Sequence, residues 1–312
     1  MFRKLYNQAI FSGSLRPDGP LLVVQGGASL DPLAPDLAFV RTMRDGEPTV
    51  YLPGSSLKGV LRAQGERLLA TAIGDSAAEE PFNFKAPRRQ EAQREHERKD
   101  GKTAAVYALS CEADRLFGST QIAGRLRIGD AHPATPEAAT AANRTEVRYG
   151  VAISRAKQSV QVGPFEQEAV TGGSFGFRAT LENFELWMLS LMLQVFRDLH
   201  EGLVQVGHSK SRGFGTVLVD EPSLRLRWPG TPPARLEGVG ARESSAAVRH
   251  AYALDAEDWV ELPARSSVER EGLFGAYRYQ GWEEVDRVQD LLATGPWPRF
   301  VARARRGAGS GT

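Results

Sequence analysis

Leu52-Pro53-Gly54-Ser55-Ser56-Leu57-Lys58-Gly59 joins the end of a strand to the start of a helix. Val50-Tyr51-Leu52 reads as a brief strand that Pro53-Gly54 stops. Ser55 or Ser56 then offers a hydroxyl N-cap to a helix beginning near Leu57 and ending at Gly74. Leu57, Val60, Leu61 and Leu68 fall on one face of it, so it packs on a core.

The flanking sequence supplies the rest of an α+β order. Upstream, Lys4–Phe11 is an imperfectly alternating strand closed by Ser12-Gly13, and Leu21–Val24 is a short apolar run. Downstream, Arg125–Ile128 alternates as a strand, and Thr145–Val162 and Ser174–Leu181 read as extended segments flanking a long loop. Phe184–His200 is apolar over much of its surface and predicts a largely buried helix, and Thr216–Asp220 predicts a closing strand. Strand, helix, strands, helix, strand is the order of a ferredoxin-like, RRM-type core. Large insertions interrupt it. The one near 75–105 includes Lys85–Lys102, which is nearly devoid of apolar residues and reads as an exposed helix or a mobile insertion. From Glu221 onward Pro222, Pro229, Pro232 and Pro233 suggest a linker, so the division expected is 1–220 for the core and 221–312 for linker and extension. Trp259, Trp282 and Trp297 would build a satellite core or a subunit contact there, and the tail from Arg303 to Thr312 reads as disordered.

Composition narrows the function classes. A net charge of +1 means that any nucleic-acid binding must come from local patches. A single cysteine, Cys111, excludes an intrachain disulfide and a multi-cysteine zinc site, so no zinc is expected. No stretch resembles a signal peptide or is long enough to span a bilayer, which makes the expectation a cytoplasmic protein without a membrane partner.

Two glycine-rich segments carry the chemistry. In the first, Ser55, Ser56 and Lys58 sit at a helix start, where amides and an ammonium together suit a phosphate; the alternative is a capped turn with an incidental lysine. The spacing is not that of a P-loop. In the second, Gly207-His208-Ser209-Lys210-Ser211-Arg212-Gly213-Phe214-Gly215, two cations and two hydroxyls lie between glycines after a helix. Bare backbone, hydroxyls and cations grip phosphates without reading bases, so a nucleic-acid backbone is the expected ligand. A tight structural connector is the alternative. His208 could act as a general base in metal-independent RNA cleavage, although a lone loop histidine more often only hydrogen-bonds. His96, His132 and His200 have no obvious companion.

Pro53–Gly59 resembles the helix-opening motif of RAMP-superfamily proteins, and Gly207–Gly215 resembles their C-terminal glycine-rich loop. Arg115-Leu116-Phe117-Gly118-Ser119 is similar to the family's Leu-Phe-Gly element. Arg144–Phe175, with Arg155, Gly163-Pro164-Phe165, Glu168 and Gly173-Ser174-Phe175, resembles the β-hairpin thumb of backbone subunits in type III CRISPR effector complexes. The resemblance implies an antiviral ribonucleoprotein complex in which several RAMP subunits assemble on a CRISPR RNA and bind complementary target RNA. It implies RNA contacts at Ser55, Ser56, Lys58, Arg155, Lys210, Ser211 and Arg212, with Phe165 and Phe175 at the thumb. Slicing members carry an aspartate, then an arginine, then a turn before the helix motif. Asp36, Arg41 and Asp45-Gly46 fit that pattern, with Leu37-Ala38 where a polar residue and proline often stand. Asp36 is therefore the expected endoribonuclease residue and ligand of Mg2+ or another divalent cation, with Asp31 and Asp45 as competitors. A non-cleaving structural subunit and a guide-processing endonuclease using His208 are the alternatives.

Overall fold

The structure, a computed structural model, describes residues 3–26, 34–44, 46–80, 83, 85–262 and 268–309. Its centre is a seven-stranded antiparallel sheet. Strands β1 (Gln8–Pro17), β4 (Leu126–Ile128), β8 (Phe175–Glu182) and β9 (Val217–Pro229) stand in the order β9-β1-β8-β4. With α1 (Gly54–Ile73) after the first of these strands and α6 (Leu186–His200) after the third, they form the ferredoxin-like βαββαβ unit. The short β5 (His132–Pro133) also pairs with β8. Two further hairpins project from this body: β2 (Arg41–Arg44) with β3 (Glu47–Val50), and β6 (Thr145–Ile153) with β7 (Val160–Val170).

The two principal helices pack on one face of the sheet. Leu57, Leu61 and Leu69 of α1 are buried at helical spacing, and Gly65 lets the helix close on the Phe117 ring, which would lie 2.9 Å from a Cβ. Phe11 of β1 stacks on Phe196 of α6 at 4.2 Å between ring centres. The α1 start differs from the capped serine expected. The helix begins at Gly54, whose N–H donates to Asp130 Oδ1 at 2.7 Å, and neither serine side chain caps it. A Cβ on Gly54 would lie 2.5 Å from the Ile128 carbonyl oxygen, so the glycine is what lets the strand end approach.

The 75–117 region is anchored by charge. It carries α2 (Pro87–Glu97), α3 (Thr103–Leu109) and α4 (Glu112–Phe117). Arg89 of α2, far from exposed, is buried against Asp114 at 2.8 Å; Arg62 of α1 reaches the same carboxylate at 2.9 Å. Arg88 pairs with Glu112 at 2.6 Å. After β5, α5 (Pro136–Ala142) leads into the β6–β7 hairpin.

No linker follows residue 220, because β9 continues to Pro229. A bulge absorbs the proline: Ser12 faces Ser223 and Ser14 faces Asp220, so Glu221 and Pro222 together oppose the single residue Gly13, and a missing N–H there costs no ladder bond. Beyond β9 come β10 (Arg235–Glu237), α7 (Val239–Arg242), α8 (Ala246–Ala251), β11 (Trp259–Glu261), β12 (Val268–Glu271) and β13 (Phe274–Gln280). β13 pairs with β9 and β12 with β13, so the extension widens the central sheet. The final helices, α9 (Gly281–Thr294) and α10 (Pro296–Gly309), join the helical layer; Val285, Val288, Leu292 and Phe300 belong to the same apolar core as β1 and α6. Trp282 packs on Phe11, and Phe300 stacks on Trp187 at 4.4 Å. The tail read as disordered is helical through Gly309, with Arg303 paired to Asp255 at 2.6 Å.

Candidate RNA-binding site

The glycine loop between α6 and β9 is shaped by residues that only glycine suits. Gly207 (φ +86°) and Gly215 (φ +90°) are left-handed, and a Cβ on either would lie within 2.2 Å of a carbonyl oxygen, that of Leu22 or Val206. The backbone is pinned there: His208 N–H donates to the Leu22 carbonyl at 2.7 Å and Gly215 N–H to that of Pro20 at 2.8 Å. Between these anchors a single 3-10 turn, Lys210–Arg212, carries Lys210, Ser211 and Arg212 into solvent. Lys210 has no charged or hydrogen-bonding partner among the described residues.

The inner face of the β6–β7 hairpin, the thumb of the sequence reading, grips this loop. Ser209 Oγ donates to Gln167 Oε1 at 2.8 Å and accepts from an Arg212 N–H at 2.9 Å, with His208 Nδ1 also 2.9 Å away. One donor and two acceptor sites are all that a hydroxyl offers, so Ser209 is saturated. The Arg212 guanidinium lies over the Phe165 ring at 5.7 Å, and Arg148 lies over Phe214 at the same distance. Phe165 thus stands beside the glycine loop, as a seat for Arg212. Phe175 is not: it opens β8, pairs with Leu15 and is fully buried. The alternation that places Phe177 in the core places Phe175 there too. Arg155 is exposed on the hairpin turn, on the order of 15 Å beyond Phe165 along the strand.

Asp36 lies on the other edge of β7. Leu37 pairs with Gln167 in parallel, through Leu37 N–H to the Glu166 carbonyl and Glu168 N–H to the Leu37 carbonyl, both at 2.9 Å. Asp36 is exposed, and its Oδ2 accepts from Glu166 N–H at 2.9 Å. Glu168 clamps the segment: its carboxylate accepts from both terminal nitrogens of Arg41, from Phe39 N–H at 2.8 Å and from Thr145 Oγ1 at 2.7 Å. Burial alone would raise the Glu168 carboxyl, but the hydrogen bonds from Arg41, Thr145 and Phe39 prevail and hold it down at about 2. Glu168 and Arg41 entered the sequence reading only as motif letters. Their pairing spans the chain from the first hairpin to the thumb, and a single sequence gives no signal of it. Gln167 and Ser209 were likewise missed as partners. Asp31 and Asp45 lie outside the described residues.

Ser55, Ser56 and Lys58 occupy the first turns of α1. Ser55 is exposed, whereas Ser56 and Lys58 are half-buried. Burial, and then the neighbouring Arg62, push the Lys58 ammonium below its ordinary value, a tension that a phosphate would relieve. Leu57 and Val206, which precede Lys58 and Gly207 in the chain, line one small cavity between α1 and α6. The helix start and the glycine loop thus share one end of the core.

Residues 22–218 match the RAMP superfamily. The chain belongs to that superfamily. Membership makes it a CRISPR-associated RNA-binding protein of a kind that works in complex with other such subunits. A search of curated proteins finds no match. Among the described residues no helix is long and apolar enough to cross a membrane.

Proposed function

We propose that this RAMP protein is a backbone subunit of a type III CRISPR effector, holding guide RNA on its glycine loop and helix start and cleaving complementary target RNA at Asp36. One observation carries the reading: the loop that presents Lys210, Ser211 and Arg212 and the loop that presents Asp36 are fastened to the same thumb strand. A guide backbone on the first would bring the paired target strand to the second. Ser55, Ser56 and Lys58 extend the phosphate track to α1, and Arg155 extends it along the thumb.

RNA carries its own nucleophile. With the thumb distorting the duplex, a ribose 2′-oxygen bonds to the adjacent phosphorus in line as its proton passes to water, and the 5′-oxygen leaves and takes a proton from water. The products are a 2′,3′-cyclic phosphate and a 5′-hydroxyl end. Asp36 offers one carboxylate oxygen beyond its bond to Glu166 N–H, a hard donor that fits Mg2+, which takes one or two carboxylates and completes its shell from phosphate and water. The bound cation would stabilise the growing charge on the phosphate oxygens. Asp36 would hold that cation in place, and Glu168 with Arg41 keeps its loop against the thumb.

Cleavage of guide-complementary RNA by the assembled complex tests the reading, wild type against Asp36→Ala, in magnesium or EDTA. Specific cuts are expected to vanish in the variant and in EDTA while target binding is retained. Unchanged cuts in Asp36→Ala would refute cleavage at this residue and leave a structural subunit. A second reading has one observation behind it: His208 is exposed, with Nδ1 engaged by Ser209, the posture of a base acting through Nε2. Cuts that survive EDTA and disappear in His208→Ala would favour it.

A further inference from the structure

We infer that Gln167 and Glu168, whose side chains leave opposite faces of strand β7, are positioning residues that hold the glycine loop and the Asp36 loop in fixed register. The consequence for cleavage rests on the assignment of Asp36; the mechanical coupling does not. Successive strand residues point to opposite faces, so two neighbours in the chain can grip two loops distant in sequence. Gln167, buried at 3 % exposure, faces inward with Arg148 and takes the Ser209 hydroxyl. Glu168, buried at 6 % exposure, lies on the other face with Val147 and takes Arg41, Phe39 N–H and Thr145. The backbone between them belongs to the same device, because Gln167 is the bridge partner of Leu37 and Glu166 N–H binds Asp36.

The packing leaves Gln167 little freedom to absorb a shift. Gly150, opposite Phe165 on β6, has no room for a side chain: a Cβ there would lie 2.5 Å from the Phe165 ring and 2.6 Å from Gln167 Nε2. On the loop side Ser209 is left-handed (φ 58°) and saturated by three partners, so its hydroxyl is fixed as well. A phosphate that draws Arg212 away from Ser209 and Phe165 therefore acts on Gln167, and through its backbone on Leu37 and Asp36. Guide occupancy and carboxylate placement become one event.

Hydrogen exchange on the full chain tests this, reading the Leu37, Phe39 and Glu168 amides against β1 and β8 amides as internal reference. Ser209→Gly removes the hydroxyl and relaxes the left-handed backbone; Gln167→Met removes the acceptor at the other end. In either variant the amides of the Asp36 loop are expected to exchange roughly fivefold faster, the worth of one ordinary hydrogen bond, with the reference amides unchanged. Single-turnover cleavage by the assembled complex falls in parallel, with target RNA still bound. Wild-type exchange at Leu37 and Phe39 in both folded variants would overturn the coupling, as would an equal acceleration of the β1 and β8 amides. Faster exchange together with undiminished cleavage in Asp36→Ala would uphold the coupling and remove Asp36 from the chemistry.

Discussion

Replacing Glu168 by glutamine keeps the side-chain shape and deletes the charge that fastens the Asp36 loop. The magnitude follows from the carboxyl's displacement, from an ordinary 4.5 to about 2. The difference, 4.5 − 2, is about 2.5 units, and at about 1.36 kcal/mol per unit it sets a ceiling near 3.4 kcal/mol. The Glu168 side chain is 8 % exposed but its partner Arg41 is 35 % exposed, and solvent screening at the arginine reduces the expected loss to about 2 kcal/mol. The folded carboxyl is depressed, so its contribution is complete above the unfolded value and disappears as pH falls from about 4.5 towards 2. Urea unfolding of wild type and Glu168→Gln at a series of pH values reads this directly. At pH 7 the variant should be less stable by about 2 kcal/mol, and the gap should narrow steadily below pH 4.5. Equal stability at neutral pH, or a gap that persists unchanged at pH 3, would refute an ionised clamp.

Gly207→Ala should disturb the glycine loop by at least about 2 kcal/mol, because a Cβ at φ +86° would meet the Leu22 carbonyl oxygen at 2.1 Å; thermal melting and RNA affinity should fall together. Phe175→Ala should cost about 3–5 kcal/mol as a core truncation, while the RNA affinity of the protein that remains folded is unchanged. His200 accepts the Val219 N–H on Nδ1 at 3.1 Å, and burial lowers its protonation below the ordinary 6.5. Stability should therefore be complete above about pH 6.5 and decline as pH falls through it, a component that a pH series on His200→Gln should lack.

The parts of the fold that rest on local pattern were legible: the amphipathic helix after Pro53-Gly54, the apolar helix ending at His200, and the strand–helix order that makes the ferredoxin-like unit. What failed was punctuation. Pro222 marks a bulge rather than a break, and that depends on β1 having Gly13 opposite, a long-range fact. Arg89 looks exposed in a charged run until Asp114 and the Glu79 and Glu80 carbonyls bury it. At the site, residue types were legible and partners were not. Lys210, Ser211 and Arg212 between glycines suggested a phosphate grip, and they do stand in solvent. Ser209, which looks equivalent to Ser211, is instead the structural tie, since its left-handed backbone turns it inward. Glu168 and Arg41 are 127 positions apart, and nothing short of the folded chain joins them.

The most direct measurement is the salt dependence of guide-RNA binding, wild type against Lys58→Ala/Lys210→Ala. Lys210 is unpartnered among the described residues and Lys58 makes no ion pair among them, so the double variant removes phosphate contacts and leaves the fold intact. If both lysines neutralise single-stranded backbone, affinity should weaken and the slope of log K against log salt should flatten by roughly 1.4, two contacts at about 0.7 each. An unchanged slope and affinity would contradict a phosphate track at the glycine loop and helix start.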